Sequence, residues 1–200
     1  MSINLPAGHY QIDPAHSRVG FSARHALVTR VRGAFDVVGS ATFDPAHPEV
    51  NRVEVTLDVD SIDTRNADRD AHLRSGDFFD VERFPVMNFS ARDVALSGAG
   101  VSLAGDLLVK GVAHPVSFDL TYHGWSVDPY GQERHGFEGE FVVDRRQLGL
   151  TWNVALEAGG LLVSEKVTLE FEISAIRHDL TDDASAPSSD ATPSADSLAA

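Results

Sequence analysis

The residues with the most chemical potential in this sequence are nine histidines and thirty carboxylates. In "DRDAH", residues 68 to 72, Asp68 and His72 stand four positions apart. On a helix that spacing brings both side chains onto one face, close enough to act as an acid-base pair. The same two residues can equally be wetted charges on the surface of a short helix, and this is the preferred reading because nothing else in the chain completes a mechanism. There is no cysteine, which excludes a thiolate nucleophile, a disulfide framework and Cys-ligated zinc. No GxSxG elbow, glycine-rich phosphate loop or HExxH pair occurs, and no two histidines stand at a recognised metal-ligand spacing. We expect no metal, no cofactor and no enzyme, with acid-base catalysis by Asp68 and His72 as the alternative.

The remaining polar candidates read as structural. His16 follows the Asp13-Pro14 turn and is expected to hydrogen-bond it, while His123 and His135 are expected to face each other across a hairpin. Arg145 and Arg146 follow Asp144 at a strand end. Pairing with a carboxylate is the preferred role, and contact with a quinone oxygen or a phosphate is the alternative.

The scaffold for these residues is written in period-two alternation. Val53, Val55, Leu57 and Val59 face one way, and Glu54, Thr56, Asp58 and Asp60 the other. Val167, Leu169, Phe171, Ile173 and Ala175 repeat the pattern. Similar runs near residues 17–24, 31–43, 86–96, 101–110, 115–125 and 135–144 are bounded by "DP", "GAG" and "DPYG" turns. About eight antiparallel strands result, and the fold class is all-β. Closure into a barrel removes sheet edges, and eight strands make a barrel that either fills with side chains or holds one small ligand. A two-sheet sandwich has the same strand count and stays open, because periodicity does not show whether first and last strands pair.

Residues 64–80 break the alternation. Ala67, Ala71, Arg74 and Phe78 recur at helical spacing, and Gly76 is placed to end the helix. A short helical plug across a barrel mouth would bury Phe78 and Phe79 while its Asp and Arg residues stay wet. That accounts for the aromatic rings in "HLRSGDFFDVERFP", residues 72 to 85, which also holds Phe84.

The 200 residues, 42% of them hydrophobic, suffice for one domain with a core. A formal charge of −14, with only two lysines and no clustered basic patch read in the sequence, argues against nucleic acid and anionic membranes as partners. No run approaches the ~18 apolar residues of a membrane span. The amino terminus lacks a basic n-region and an apolar h-region, so a cytoplasmic location is expected. From about His178 the composition turns to Ala, Ser, Asp, Thr and Pro, with five Asp and no Lys or Arg. The expected division is a barrel domain over 1–177 and a disordered acidic tail over 178–200. Monomer and homodimer both stay open.

Four stretches in order resemble the YceI-like family of bacterial proteins: "YQIDPAHSRVGFSARH" (10–25) with "RVRGAF" (30–35), "HLRSGDFFDVERFP" (72–85), "GDLLVKGVAHPVSFDL" (105–120) and "DRRQLGLTWN" (144–153). The resemblance implies a lipocalin-like barrel that binds a long isoprenoid lipid, of the isoprenoid quinone or polyprenyl phosphate class, for transport, storage or stress response. Gln147 and Leu148 stand where the family usually shows Asp and Phe, which bears on chain-length preference. On this reading Phe21, Phe35, Phe89, Phe141 and Trp152 join Phe78, Phe79 and Phe84 as candidate ligand-wall residues. Arg145 is the candidate polar contact. Strands of about 11 residues, rising ~3.3 Å each and tilted ~40°, make a barrel roughly 25 to 30 Å tall. That approaches the ~30 Å hydrocarbon core of a bilayer. Ala23 and Gly33 are small inward residues expected to leave the centre open.

Overall fold

The structure, a computed structural model, describes residues 5–26, 28–98, 100–157 and 160–180. In chain order the strands are β1 (Gly8–Ile12), β2 (Arg18–His25), β3 (Thr29–Phe43), β4 (Arg52–Asp63), β5 (Val86–Ser97), β6 (Gly100–Val109), β7 (Val112–Val127), β8 (Glu133–Asp144) and β9 (Val163–His178), and helix α1 (Ala67–Arg74) separates β4 from β5. β1 and β2 are two halves of one barrel strand. Both lie antiparallel between β3 and β9, with Ile12 opposite Ala175 and Arg18 opposite Glu172. All neighbours are antiparallel, and pairing of β3 with β4 completes the ring. The molecule is a closed eight-stranded barrel, the architecture preferred from the sequence, and pairing of the terminal strands rules out the sandwich alternative.

The break between β1 and β2 has a local cause. Pro14 cannot donate to a ladder, and the Asp13 carboxylate accepts from the Ala15 N–H at 3.0 Å, opening a single 3-10 turn over Pro14–His16. His16 Nδ1 meets Asp13 Oδ2 at 2.6 Å, as the sequence predicts. Asp13 also accepts from Arg134 of β8. The Arg134 guanidinium and then His16 hold the Asp13 pKa down at about 2.

Helix α1 starts at Asn66, whose side chain accepts from the Arg69 N–H at 2.9 Å, and Asp68 and Asp70 favour its positive end. It stops at Ser75, one residue before the expected Gly76. The Ser75 N–H and hydroxyl both donate to the His72 carbonyl, so no left-handed glycine is needed. Phe78 therefore lies outside the helix. A turn in which Phe78 N–H donates to Ser75 and Phe79 N–H to Leu73 rolls both rings inward. The plug is fastened to the end of β4: Arg74 donates to the carbonyls of Asp60 (2.7 Å) and Ile62 (2.9 Å), and buried Asp70 accepts from Thr64 N–H and Oγ1.

At the other terminus, β9 runs to His178, which pairs with His9, so the folded part extends beyond residue 177. The expected tail lies outside the described residues from 181 onward. Among the described residues no helix is long and apolar enough to cross a membrane.

Candidate functional site

The inner face of the barrel is only partly packed. Val37, Val59, Met87 and Leu103 on β3 to β6 are buried. Val116, Phe118, Leu120, Phe141 and Phe171 on β7 to β9, with Val53, Val55, Val94 and Leu107 on β4 to β6, stay half-exposed although they point into the same interior. Close-packed interiors leave no such exposure, so the barrel is hollow. A cavity of about 610 Å3 fills the space, within the usual range for a site holding one small molecule. It runs from Leu5, Tyr10 and Phe43 at the end away from α1 to His72, Phe78 and Trp152 at the α1 end. Its lining is mostly apolar; Tyr10, Ser40 and Thr42 are at the far end, and the charged side chains are near α1.

Of the candidate aromatics, Phe21, Phe35, Phe78, Phe79, Phe89, Phe141 and Trp152 all line the cavity. Phe35 bridges Phe21 at 5.6 Å and, edge to face, Phe79 at 5.7 Å. Phe84 does not reach it: its ring lies against Gly111 and carries the Arg83 guanidinium 5.1 Å from its centroid. Two rings absent from the sequence-based set sit mid-wall. Phe118 stacks on Phe141 at 4.7 Å and on Phe171 at 5.1 Å, with interplanar angles of 8° and 13°. Both occupy inward positions of alternating runs, so the signal that found Leu169 and Val167 also marks them. Ala23 lines the cavity as expected, but Gly33 opens nothing. The Phe21 ring lies over it so closely that a Cβ there would stand 2.5 Å from Phe21 Cζ.

The arginines divide the roles foreseen for them. Arg146 pairs with Asp144 (2.6 Å) and Glu165 (2.7 Å), which holds Asp144 down at about 2. Among the described residues Arg145 has no carboxylate within ion-pair distance. Buried at the cavity wall, it donates to the carbonyls of Ser164 (2.9 Å), Trp152 (3.0 Å), Val163 (3.4 Å) and Leu150. It thereby ties residues 150–152 to 163–164 and helps to bring Leu148, Leu150 and Trp152 into the wall. Burial lowers its pKa from the ordinary value.

The histidine expectations fare differently. Asp68 and His72 do not pair: His72 Nε2 meets Asp77 Oδ2 at 3.0 Å, and its ring stands edge-on to Phe78 and Trp152 at the cavity's α1 end. Nor do His123 and His135 face each other. A bulge after Tyr122 shifts the β7–β8 register, sending His123 outward to Glu138 and placing Trp125 opposite His135. His135 is fully buried, held by Glu133 Oε1 (2.9 Å) and the Tyr122 hydroxyl (2.9 Å). The two ring nitrogens thus each have a polar partner, so the buried imidazole is satisfied on both sides. Burial lowers the His135 pKa despite Glu133. Among the described residues no three metal-ligating side chains converge.

A closed antiparallel barrel with a helix across one end and an apolar hollow along its axis is the architecture of a protein that encloses one hydrophobic molecule. The sequence profile of the YceI-like domain matches residues 10–175, and the chain belongs to that family. It is 33% identical to a UPF0312 protein of Pseudomonas aeruginosa over 174 residues, covering 86% of this chain and 88% of that one. Protein YceI of Salmonella newport is 35% identical over 148 residues, 72% of this chain and 78% of its own. Among solved structures, Burkholderia cenocepacia BcnA superposes with a TM-score of 0.68 at 22% identity, over 82% of this chain and 98% of that one. The YceI protein of Campylobacter jejuni gives 0.64 at 26%, over 78% and 90%. A polyisoprenoid-binding domain from Saccharophagus degradans gives 0.62 at 16%, over 86% and 100%.

Proposed function

We propose that this protein binds one long-chain isoprenoid lipid, of the isoprenoid quinone or polyprenyl phosphate class, with the chain in the barrel hollow and the head group toward α1. The observation that carries this is the continuous apolar cavity of about 610 Å3 against the half-exposed inner faces of β7 to β9. Burying a chain there is worth about 0.8 kcal/mol per CH2, so tight binding needs few polar contacts. The charged side chains of the lining, Arg24, His25, Asp68, Arg69, His72 and Arg145, are at the α1 end, which favours that end for the head group. Support comes from the shared fold of the Saccharophagus degradans domain, which is described as polyisoprenoid-binding. We assign the ligand wall to Phe21, Phe35, Phe78, Phe79, Phe89, Phe141 and Trp152, extended by Phe118 and Phe171. The role is carriage or storage rather than catalysis.

Native mass spectrometry of protein purified without added lipid, followed by organic extraction, tests this. An adduct that yields a molecule built of isoprene units is expected. A straight-chain fatty acid as the sole extract, or failure of the lipid-free protein to take up a long-chain isoprenoid quinone or polyprenyl phosphate, would overturn it.

A further inference from the structure

From Pro14 to Phe35 the chain contains no Asp or Glu, although it carries 30 elsewhere and a net charge of −14. The fold turns this stretch into the β2–β3 hairpin at the cavity's α1 end. Register places Arg24 directly opposite Arg30, with Arg32 one step further along the same face opposite Ser22. All three side chains and His25 are exposed, and among the described residues none of the three arginines has a carboxylate partner. Like charges opposed across a ladder destabilise a sheet. The sequence-level expectation of no clustered basic patch is thus corrected: the cluster forms only when the two strands pair.

Between the two strands Val28 is apolar and 79% exposed. The Ala26 N–H donates to the Leu162 carbonyl at 2.7 Å, and the Leu162 N–H to the Val154 carbonyl at 2.9 Å, so Val154 and Leu162 are stitched alongside. Exposed Val154 and Leu161 join the same rim. Arg24, His25, Leu162 and Val163 also belong to the cavity lining. Basic side chains around exposed apolar residues are the pattern that seats a protein on an anionic bilayer: arginines meet lipid phosphates while apolar residues enter the acyl boundary. The nearest carboxylates are on neighbouring elements, Glu165 on β9, Asp63 at the end of β4 and Asp68 on α1, and Glu165 is paired with Arg146, so the positive charge is local to the hairpin.

We propose that the β2–β3 hairpin, with Arg24, Arg30 and Arg32 around Val28, docks this barrel mouth-down on an anionic membrane surface. The purpose of docking, transfer of the ligand between bilayer and cavity, rests on the isoprenoid-binding reading; the docking itself does not. Net repulsion by the rest of the acidic chain makes the contact weak and reversible, and it sets the orientation in which the α1 end faces the lipid.

Flotation of the full chain with phosphatidylcholine vesicles, with and without phosphatidylglycerol, tests it at low and high salt. Binding is expected only to the anionic vesicles and is expected to fade with salt. One basic residue near such a surface is worth about fivefold in affinity, so Arg24→Glu with Arg30→Glu should cost roughly 25-fold or more. Val28→Asp should weaken binding several-fold with both arginines in place. The charge variant should still release its bound lipid on extraction, which separates failure of docking from failure of the ligand reading. Absence of binding to anionic vesicles, undiminished binding by the double variant, or equally tight binding to duplex DNA of random sequence would overturn the proposal.

Discussion

His72, on the plug helix, stands edge-on to the indole of Trp152 with ring centroids 4.6 Å apart and planes at 89°. The contact joins α1 to the segment between β8 and β9, elements far apart in the sequence, across the end of the cavity. Phe78 completes the cluster, 5.1 Å from His72 and 5.2 Å from Trp152. A ligand chain that occupies the cavity lies against this indole.

Trp152 should therefore report occupancy. The chain has two tryptophans, and Trp125 is 58% exposed beside His135 at the barrel end away from α1. In a Trp125→Phe protein, titration with a long-chain isoprenoid quinone is expected to quench emission to a saturable limit. In Trp152→Phe, the remaining Trp125 should respond weakly and without saturation. Equal saturable responses from both proteins would remove Trp152 from the ligand wall.

Arg145 predicts a stability effect with a geometric signature. Its planar guanidinium serves carbonyls of Ser164, Leu150, Trp152 and Val163 at once. Arg145→Met strands those carbonyls in a buried place and should cost about 2 to 4 kcal/mol in denaturant unfolding. Arg145→Lys should recover little of it, because an ammonium lacks the fork that spans several acceptors. Full recovery by lysine would mean that charge, not shape, is what the site uses.

What was legible in the sequence follows from what is periodic. Strands announce themselves by alternation, so β2 to β9 stand close to their expected ranges. β1 carries too few residues to show a period and was hidden behind the Asp13-Pro14 turn. The plug was legible as a break in alternation, but its end was not: Ser75 caps it by a side-chain bond to His72, which spacing does not reveal. The site was half visible. Inward aromatics could be read residue by residue, yet the partners of His72, His135 and Arg145 depend on register. One bulge after Tyr122 moved His123 outward and set Trp125 opposite His135. The Arg24–Arg30 pair was invisible for the same reason, being made by two strands rather than by a run of basic residues.

His135 predicts how stability depends on pH. Its folded-state pKa is lowered by burial, while the unfolded chain keeps the ordinary value of about 6.5. Below that pH the unfolded state takes up the proton and the folded state resists it, so stability is full above about pH 6.5 and falls as pH drops through it. His135→Gln should flatten the slope of unfolding free energy between about pH 6.5 and 5, above the ordinary carboxylate range. An unaltered slope in the variant would assign the pH response elsewhere. Asp13, held at about 2 by Arg134 and His16, adds a separate loss at lower pH, between about 4 and 2.

Phe78 and Phe79 close the barrel and line its hollow with the same rings. Both are nearly buried, at 6% and 9% exposure, and both touch the cavity. Truncation to alanine costs ~3 to 5 kcal/mol in a core and would confuse lost folding with lost binding, so leucine is the better probe. Phe79 packs edge-on to Phe35, and Phe79→Leu removes that contact and lowers the melting temperature of the empty protein. Ligand raises the melting temperature in proportion to its affinity for the folded state. If the ring only plugs the end, the variant loses the same stability empty and loaded, and the ligand-induced rise is unchanged. If the ring is also ligand wall, the rise itself shrinks. We expect shrinkage for at least one of Phe78→Leu and Phe79→Leu, measured as paired melting curves with and without saturating long-chain isoprenoid quinone. An unchanged rise in both variants would confine these two rings to holding the plug.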